Sequence, residues 1–277
     1  MKKGIVATLL LSCALTMSAC SFVQIQPANS ETGSNIQSTT GDSTSQPEDI
    51  DVGNPDATGD DQQGEGDDGV TGEEQKQNVV VEDMCNYEYD ELKFRLPQFT
   101  NVKSDDVQAV NNMIHSAFYE NYVEEARDAL NNGFDSMCIE TGYTCFKGDE
   151  YISVLVWAES DWDFTTYTTI NMWNDGTVMT NEELLRTFGM GGVEFIDDVR
   201  ENLELRTNPS QYDLSSIDEE MQVLLQETYG RTMSNDNINI YMPMYVDEEG
   251  NLCYVARIYS IAGADYYDHT MKYGERG

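Results

Sequence analysis

The sequence predicts an α+β fold for residues 81–277, which follow an N-terminal region of different character. Apolar residues recur at helical spacing early in this part, strand-like segments separated by turns come next, and short helical segments precede a last pair of strands. Runs of strands separated from runs of helices are typical of α+β domains. We therefore expect an antiparallel sheet, a β-meander plus a C-terminal hairpin, packed by one long N-terminal helix and two or three shorter helices.

The first predicted elements are a strand and the long helix. The strand candidate covers residues 86–96, where apolar and aromatic side chains nearly alternate, and Pro97 is expected to end it. The helix is expected to be capped by Ser104 or Asp105 and to stop at the Asn-Asn-Gly of residues 131–133. The residues expected to cover a sheet are Val107, Val110, Ile114, Ala117, Phe118, Tyr122, Ala126 and Ala129.

The β-meander is predicted from three strand-like segments and two turn signals. Residues 137–146, 151–157 and 165–173 are rich in β-branched and aromatic side chains. Residues 147–150 and 174–176 carry the Gly, Asp and Asn typical of tight turns. The middle segment is almost continuously apolar, so we expect it to be the central strand.

Three short helices and a hairpin are predicted to complete the domain. A capping-box pattern opens the helix at 180–188, a second helix spans 193–203, and a third at 216–230 begins with another capping box. Residues 237–246 and 251–261 are then expected to pair as the C-terminal hairpin.

The N-terminus has the layout of a secretory signal. Lys2 and Lys3 precede an apolar run at residues 5–11, which is too short to cross a bilayer. Small residues before Cys20 resemble a bacterial lipobox, so we predict a lipoprotein signal peptide at 1–19 and acyl chains, of the palmitate type, on Cys20. The protein would then be exported and anchored to the outer face of the cell membrane through this lipid. An ordinary signal peptide that happens to contain a cysteine is the alternative.

Residues 20–80 are predicted to be a disordered acidic tether. After the cysteine this stretch has 13 acidic residues and one basic residue, Lys76, and it is rich in Ser, Thr, Gly and Gln. Such a composition cannot bury enough apolar surface to offset the entropy of ordering. A flexible coil of this length reaches about 40–45 Å, so its expected role is to hold the 81–277 domain away from the membrane.

The charge of the chain limits its partners. The formal net charge is −36, and residues 81–277 contribute −26 through 12 basic and 38 acidic residues. Nucleic acid and anionic lipid headgroups should be repelled, whereas cations, basic proteins and neutral surfaces are compatible partners. The alternative is that the acidity only keeps an exported protein soluble.

Disulfides are compatible with an exported domain that has an even number of cysteines. Cys138 and Cys145 would face each other if residues 141–142 formed a hairpin turn. In a continuous strand the two would lie about 23 Å apart, and the better turn signal at 147–150 favours that continuous strand. Three pairings stay open. The cysteines are Cys85, Cys138, Cys145 and Cys253.

Several short motifs, taken in order, resemble the extracytoplasmic domain shared by the anti-sigma factor RsiV and the peptidoglycan deacetylase PdaC. The resemblance covers about residues 90–277 and implies an α+β recognition domain, which in RsiV binds lysozyme. It departs from the family at 160–164, where a Gly-Gly-Ala-His-like run is common. The motifs are Leu96-Pro97-Gln98, Asn111 or Asn112 with Ile114, Tyr151-Ile152-Ser153-Val154, Ile170-Asn171-Met172 with Asp175-Gly176 and Leu184-Leu185, and the closing segment 241–262.

The predicted ligand-binding residues are Asp161, Trp162 and Asp163. An aromatic side chain between two carboxylates in a polar loop suits contact with a sugar or a basic protein. The alternative is that the indole folds back onto the sheet, and Tyr266-Tyr267 carry the same ambiguity.

The sequence contains no pattern that predicts catalysis, a cofactor or a metal site. Only two histidines occur, His115 and His269, and neither belongs to a metal-ligand or catalytic motif. The pair Asp161 and Asp163, or Asp197 and Asp198, has the chemistry of a glycosidase. With 38 carboxylates in the domain, we interpret each pair as part of a solvated face.

Three functional hypotheses follow. The first is a surface-anchored binding or sensing domain without catalysis that recognises a basic protein, lysozyme being the ligand implied by the resemblance, or a cell-wall glycan. The second is an envelope enzyme that acts on peptidoglycan through a carboxylate pair. The third is a passive structural lipoprotein of the envelope.

Overall fold

The computed structural model describes residues 77–89, 91–161, 164–261 and 265–276, and these confirm the α+β prediction. The signal peptide, Cys20 and nearly all of the predicted tether lie outside the described residues. The strands are β1 (Val80–Tyr89), β2 (Leu92–Thr100), β3 (Cys138–Lys147), β4 (Tyr151–Ser160), β5 (Thr165–Trp173), β6 (Met244–Val246), β7 (Leu252–Tyr259) and β8 (Tyr266–Lys272). The helices are α1 (residues 105–131), α2 (Asn181–Thr187), α3 (Gly192–Thr207) and α4 (Glu219–Thr232).

The strands form two sheets, whereas the sequence analysis placed the meander and the C-terminal hairpin in one sheet. The first is five-stranded in the order β1-β2-β3-β4-β5, and the second is three-stranded in the order β6-β7-β8. The meander β3-β4-β5 is antiparallel as predicted, whereas β2 pairs with β3 in parallel. A parallel pair needs a long crossover connection, and α1 provides it.

The predicted first strand is wrong, because the chain forms a hairpin there. β1 and β2 are antiparallel, and Pro97 lies within β2 opposite Asp83. The register shifts between Asp83 and Cys85, which marks a β-bulge. Proline cannot donate to a strand ladder, and a bulge is one of the few places where a strand tolerates it.

α1 covers one face of the five-stranded sheet. The Ser104 hydroxyl accepts a hydrogen bond from the Val107 N–H at 3.1 Å, which confirms the predicted cap. The helix is π-helical over His115–Glu124, and there the buried stripe takes a five-residue step from Phe118 to Val123. Val123 therefore takes the buried position predicted for Tyr122, which is half-buried.

The second sheet packs on the opposite face of the five-stranded sheet. Leu155 of β4 clusters with Tyr245, Cys253 and Val255 of the second sheet. Buried hydrogen bonds link the two sheets: the Val246 N–H donates to the Ser153 hydroxyl at 2.7 Å, the Ser153 hydroxyl donates to the Asn171 side-chain oxygen at 2.6 Å, and the Asn171 amide donates to the Met244 carbonyl at 2.8 Å. Residues Leu184, Leu185, Phe195, Val199 and Leu203 of α2 and α3 cover the other face of the second sheet.

Both strands of the predicted C-terminal hairpin are shorter than expected, and a third strand that was not predicted follows them. Only β6 of the predicted strand 237–246 is formed, because the Asn181 amide donates to the Ile240 and Met242 carbonyls at 2.7 and 2.8 Å in place of a neighbouring strand. After β7 the chain returns as β8, which pairs with β7 along its length.

The short helices begin at capping residues. Thr180 and Glu183 form the predicted capping box of α2. The cap of α4 is Asp218, which accepts from the Met221 N–H at 2.8 Å, and not the expected Ser216, which belongs to a 3-10 turn. None of the helices in the described part of the chain combines the length and apolar character that a membrane span requires.

The four cysteines of the domain are free thiols in the structure, so none of the three possible pairings is formed. β3 is continuous, as the turn signals favoured, and it places Cys138 and Cys145 near its opposite ends. Cys85 packs in the cluster beneath α1, whereas Cys253 lies between the two sheets.

Candidate functional site

The structure describes one of the three residues predicted to bind a ligand. Asp161 is exposed in the loop between β4 and β5. Trp162 and Asp163 lie outside the described residues. The loop is held by its neighbours, since the Ser160 N–H donates to the Phe164 carbonyl at 2.9 Å.

The segment that joins α1 to β3 lies beside this loop. The Asp161 N–H donates to the Met137 carbonyl at 2.9 Å. The same segment presents two large apolar side chains to solvent, Phe134 at 70% and Met137 at 56% exposure. Exposed aromatic and methionine side chains beside a carboxylate are favourable contacts for a protein partner.

Aromatic contacts join the β4–β5 loop to the tip of the β7–β8 hairpin. The ring of Phe164 lies edge-on to that of Tyr266, with centroids 5.8 Å apart, and Tyr266 in turn contacts Tyr259 at 6.0 Å. Edge-on pairs of this kind are among the favourable arrangements of aromatic rings. The loop predicted from the sequence and the Tyr266-Tyr267 pair therefore belong to one surface.

Two arginines complete the aromatic cluster. The guanidinium of Arg231, on α4, lies 3.9 Å from the ring centroid of Tyr259, and that of Arg257 lies 3.7 Å from the ring centroid of Tyr266. Arg231 also donates two hydrogen bonds to Asp265, at 2.7 and 2.8 Å, and this contact lowers the pKa of the Asp265 carboxyl. These contacts fix the position of the hairpin tip against the neighbouring helix.

We call this surface the loop end. It consists of the described residues of the α1–β3, β4–β5 and β7–β8 connections, 132–137, 160–165 and 259–266. Asp135 and Asp161 are exposed on it, while the carboxylate of Asp265 is already paired with Arg231. The loop end thus combines solvent-accessible acidic groups with apolar and aromatic side chains.

The histidines are placed apart on the surface. His115 lies on α1 with its Nδ1 3.3 Å from a Glu120 oxygen, and its ring stacks on Tyr119. His269 is exposed on β8, opposite Ala256 of β7. Among the residues that the structure describes, no group of His, Cys, Asp and Glu is arranged to hold a metal ion.

The cysteines are poor candidates for a nucleophile. Burial raises the pKa of the Cys138 thiol to about 12 and that of Cys253 to about 11, so both carry a proton at neutral pH. Burial also raises the pKa values of the Cys85 and Cys145 thiols. Because the thiolate is the reactive form, the described cysteines are suited to packing.

The interpretation of Asp197 and Asp198 as a solvated pair is wrong. Asp197 is exposed, but Asp198 is buried and accepts hydrogen bonds from Arg276 at 2.6 Å and from the Gly274 N–H at 3.1 Å. The carboxylate of Asp198 therefore fastens the C-terminal residues to α3.

Sequence reasoning missed most of the loop end. Phe164, Tyr259, Arg231 and Arg257 were not predicted, because their contacts depend on β8, whose existence was also missed. The one available signal was the concentration of Tyr, Arg and Asp between residues 257 and 268.

The comparison with known proteins adds no relative to these observations. No family model matches the chain, and a search of the curated proteins finds no match.

Proposed function

We propose that this chain is a surface-anchored binding lipoprotein whose loop end recognises a basic protein, without catalysis. The observation that carries the proposal is that three connections meet at one end of the domain, through the hydrogen bond from Asp161 to Met137 and the ring contact of Phe164 with Tyr266. The resemblance to the RsiV and PdaC extracytoplasmic domain supports it independently. Lysozyme, a basic protein, is the ligand that this resemblance suggests.

The proposed recognition has two physical components. The charge of −26 on residues 81–277 attracts a cationic protein over long distances and raises its association rate. Exposed Phe134 and Met137 then supply apolar contact area, which a charge pair alone does not provide. The cysteine thiols are buried and the Asp198 carboxylate is hydrogen-bonded to Arg276, and both observations support a binding role rather than a hydrolytic one.

The proposed location follows from the N-terminal pattern. Acyl chains on Cys20 would hold the protein at the outer face of the membrane, and residues 20–80 would act as the spacer. The loop end would then reach ligands in the cell-wall layer or beyond it.

A calorimetric titration of the full chain with a c-type lysozyme, at low salt and at about 0.15 M salt, tests the proposal. We expect saturable binding that persists at the higher salt. Phe134→Ala should weaken it roughly tenfold, as expected for an aromatic contact residue, and Asp161→Ala should weaken it about two- to fivefold. Trp162→Ala extends the test to the predicted aromatic residue.

Glu248→Ala is the matched control for Asp161→Ala, because Glu248 is an exposed acid in the β6–β7 turn, away from the loop end. It should leave the affinity unchanged. Binding that vanishes at the higher salt would indicate simple charge attraction and contradict the proposal. Equal affinities for the wild type and all loop-end variants would place the ligand elsewhere.

A further inference from the structure

A groove lies between the end of α3, α4 and the strands β7 and β8, and we call it the α4 groove. Its volume is about 630 Å³, which is within the range of small-molecule sites, roughly 300–1,000 Å³. Thr232 and Met271 of its lining are buried, whereas Leu205, Tyr212 and Ile261 are exposed. The groove therefore extends from the surface of the domain to the side chains of its core.

α4 turns one side toward this groove. Its lining residues recur three and four positions apart, so they form a single stripe along the helix. The exposed acidic residues Glu220 and Glu227 do not line the groove. α4 therefore contributes apolar and hydroxyl side chains but no charge, and these are Leu225, Thr228, Tyr229 and Thr232.

Most hydroxyl groups of the lining are already hydrogen-bonded within the protein. The hydroxyls of Thr207, Thr228 and Thr232 donate to carbonyls in the preceding turn of their own helices, at 2.8, 3.0 and 2.9 Å. The Tyr229 hydroxyl donates to the Glu204 carboxylate. Because these groups have partners, the lining behaves as a mainly apolar surface, to which five aliphatic side chains contribute: Leu205, Leu225, Ile258, Ile261 and Met271.

The α4 groove differs from the rest of the domain in charge. Among the residues that the structure describes, no Asp or Glu lines the groove, although residues 81–277 contain 38 acidic residues. Arg206 supplies the formal charge of the lining, and His269 adds a ring N–H donor. A cationic group in an apolar groove without carboxylates favours a ligand that carries a negative charge.

Arg206 is held in place while most of its donors are unused. Its Nε–H donates to Oδ1 of Asn202 at 2.8 Å, and the fully buried Asn202 donates in turn to the Tyr254 hydroxyl and the Glu275 carbonyl. Five arginines of the domain form ion pairs with carboxylates, but Arg206 forms none within the described part of the chain. The other N–H groups of its guanidinium are therefore available to a ligand.

The net charge of the domain limits the charge of that ligand. A charge of −26 repels anions over long distances, although physiological salt screens this repulsion beyond about 8 Å. A charge-assisted hydrogen bond acts at contact distance and is among the stronger polar interactions. One negative group therefore matches Arg206, whereas each additional negative group would meet repulsion alone.

We propose that the α4 groove binds an amphiphile with a single carboxylate, of the fatty-acid class. The carboxylate would accept hydrogen bonds from the Arg206 guanidinium, whose planar fork matches its geometry, and the chain would lie against the apolar lining. The groove shares residues 259–261 with the loop end, but Arg206 and Leu205 lie outside the loop end. The proposal goes beyond recognition of a basic protein and does not depend on it.

The test is a calorimetric titration of the full chain with decanoate, below the concentration at which it forms micelles, at about 0.15 M salt and neutral pH. Decanol has the same chain length without the charge, and acetate has the charge without the chain. We expect saturable binding of decanoate that is at least tenfold tighter than that of decanol, because only the carboxylate pairs with Arg206. Acetate should show no measurable binding.

Arginine variants test the charged contact. Arg206→Gln should weaken decanoate binding roughly tenfold and leave decanol binding within twofold of wild type. Arg206→Lys keeps the charge without the planar fork and should show an intermediate loss. Arg186→Gln is the matched control, because Arg186 is exposed on α2, donates to the Glu182 carbonyl and does not line the groove.

Apolar variants test the position of the chain. Leu205→Ser should weaken the binding of decanoate and decanol alike, roughly threefold, and it should fold because the side chain is exposed. Val193→Ser is its control, since Val193 is 75% exposed on the same helix and does not line the groove. Phe134→Ala should leave decanoate binding within twofold of wild type, which separates the α4 groove from the loop end.

Three results would overturn the proposal. The first is equal affinity of the wild type for decanoate and decanol, a comparison that needs no variant. The second is decanoate binding that neither Arg206→Gln nor Leu205→Ser weakens, since the ligand would then lie elsewhere. The third is tighter binding of decyl phosphate, which carries nearly two negative charges, because the groove would then select a phosphate instead of a carboxylate.

Discussion

Gly142 on β3 lies against the indole of Trp157, its partner across the strand pair on β4. A Cβ added at Gly142 would come within 2.3 Å of Cζ2 of that ring. Trp157 also packs against the cluster between the two sheets, so the ring cannot move away without disturbing that cluster. The absence of a side chain at this position therefore determines how the indole packs.

We expect Gly142→Ala to destabilise the domain by about 1–3 kcal/mol, the usual cost of forcing extra atoms into a packed site. Urea unfolding of the full chain, followed by circular dichroism, measures the effect. Gly191→Ala is the control for added volume, because no atom lies within 4 Å of a Cβ added there, and since Gly191 is the N-cap of α3 this variant carries only the smaller cost of a less favourable cap residue. Equal unfolding midpoints for the two variants would show that the indole accommodates the extra methyl group.

At the scale of elements, the sequence predicted best where pattern and turn chemistry agree. The strands of the meander lie within a few residues of their predicted positions, and Gly176 adopts the positive φ of 87° that its turn requires. Ser104 and Thr180 cap their helices as expected. In each case the signal lies within a few neighbouring residues.

The elements that were missed depend on partners distant in the sequence. Asn181 replaces a strand partner for residues 240 and 242, and Pro97 is tolerated in β2 because of a bulge on β1. β8 is an edge strand with exposed polar side chains such as His269, so its sequence shows little apolar alternation. Periodicity within a segment does not report such long-range contacts.

In the candidate site, too, local sequence signals allowed a prediction and contacts between distant residues did not. The exposure of Asp161 could be predicted, because a polar stretch between two strong strands indicates a loop. Its neighbours could not be predicted, since Phe164 meets Tyr266 only when the two sheets are packed together. The sequence therefore identified one loop of a surface that three connections form.

At the scale of the whole molecule, buried thiol and phenol groups make the free energy of unfolding depend on pH in the alkaline range. Burial raises the pKa of Tyr254 to about 12, in addition to those of Cys138 and Cys253. The unfolded chain releases these protons at its ordinary thiol and phenol pKa values, from about 9 upward, whereas the folded chain retains them to higher pH. Their contribution to stability is thus complete below about pH 8.5 and is lost as pH rises toward 11–12.

Urea unfolding midpoints between pH 7.5 and 10.5 test this dependence. We expect the free energy of unfolding to be steady up to about pH 8.5 and then to fall by up to about 1.4 kcal/mol per pH unit for each buried thiol. Cys138→Ala should make the fall shallower, because one retained proton is removed. A midpoint that stays constant to pH 10.5 would show that these groups titrate alike in the folded and unfolded chains.

The charge and the surfaces of the domain together define its proposed role. A charge of −26 attracts any cationic protein, and in the proposed role the exposed apolar side chains of the loop end add contacts that select among such proteins. Selection by shape on top of attraction by charge is what distinguishes a binding domain from an acidic spacer.

Hydrogen–deuterium exchange of the full chain, with and without saturating lysozyme at about 0.15 M salt, tests recognition at the loop end most directly. We predict slower exchange in residues 132–137, 160–165 and 259–266, and unchanged exchange in the β6–β7 turn at 247–251. Unchanged exchange in all three loop-end segments would contradict the proposed site, as would protection centred on 247–251.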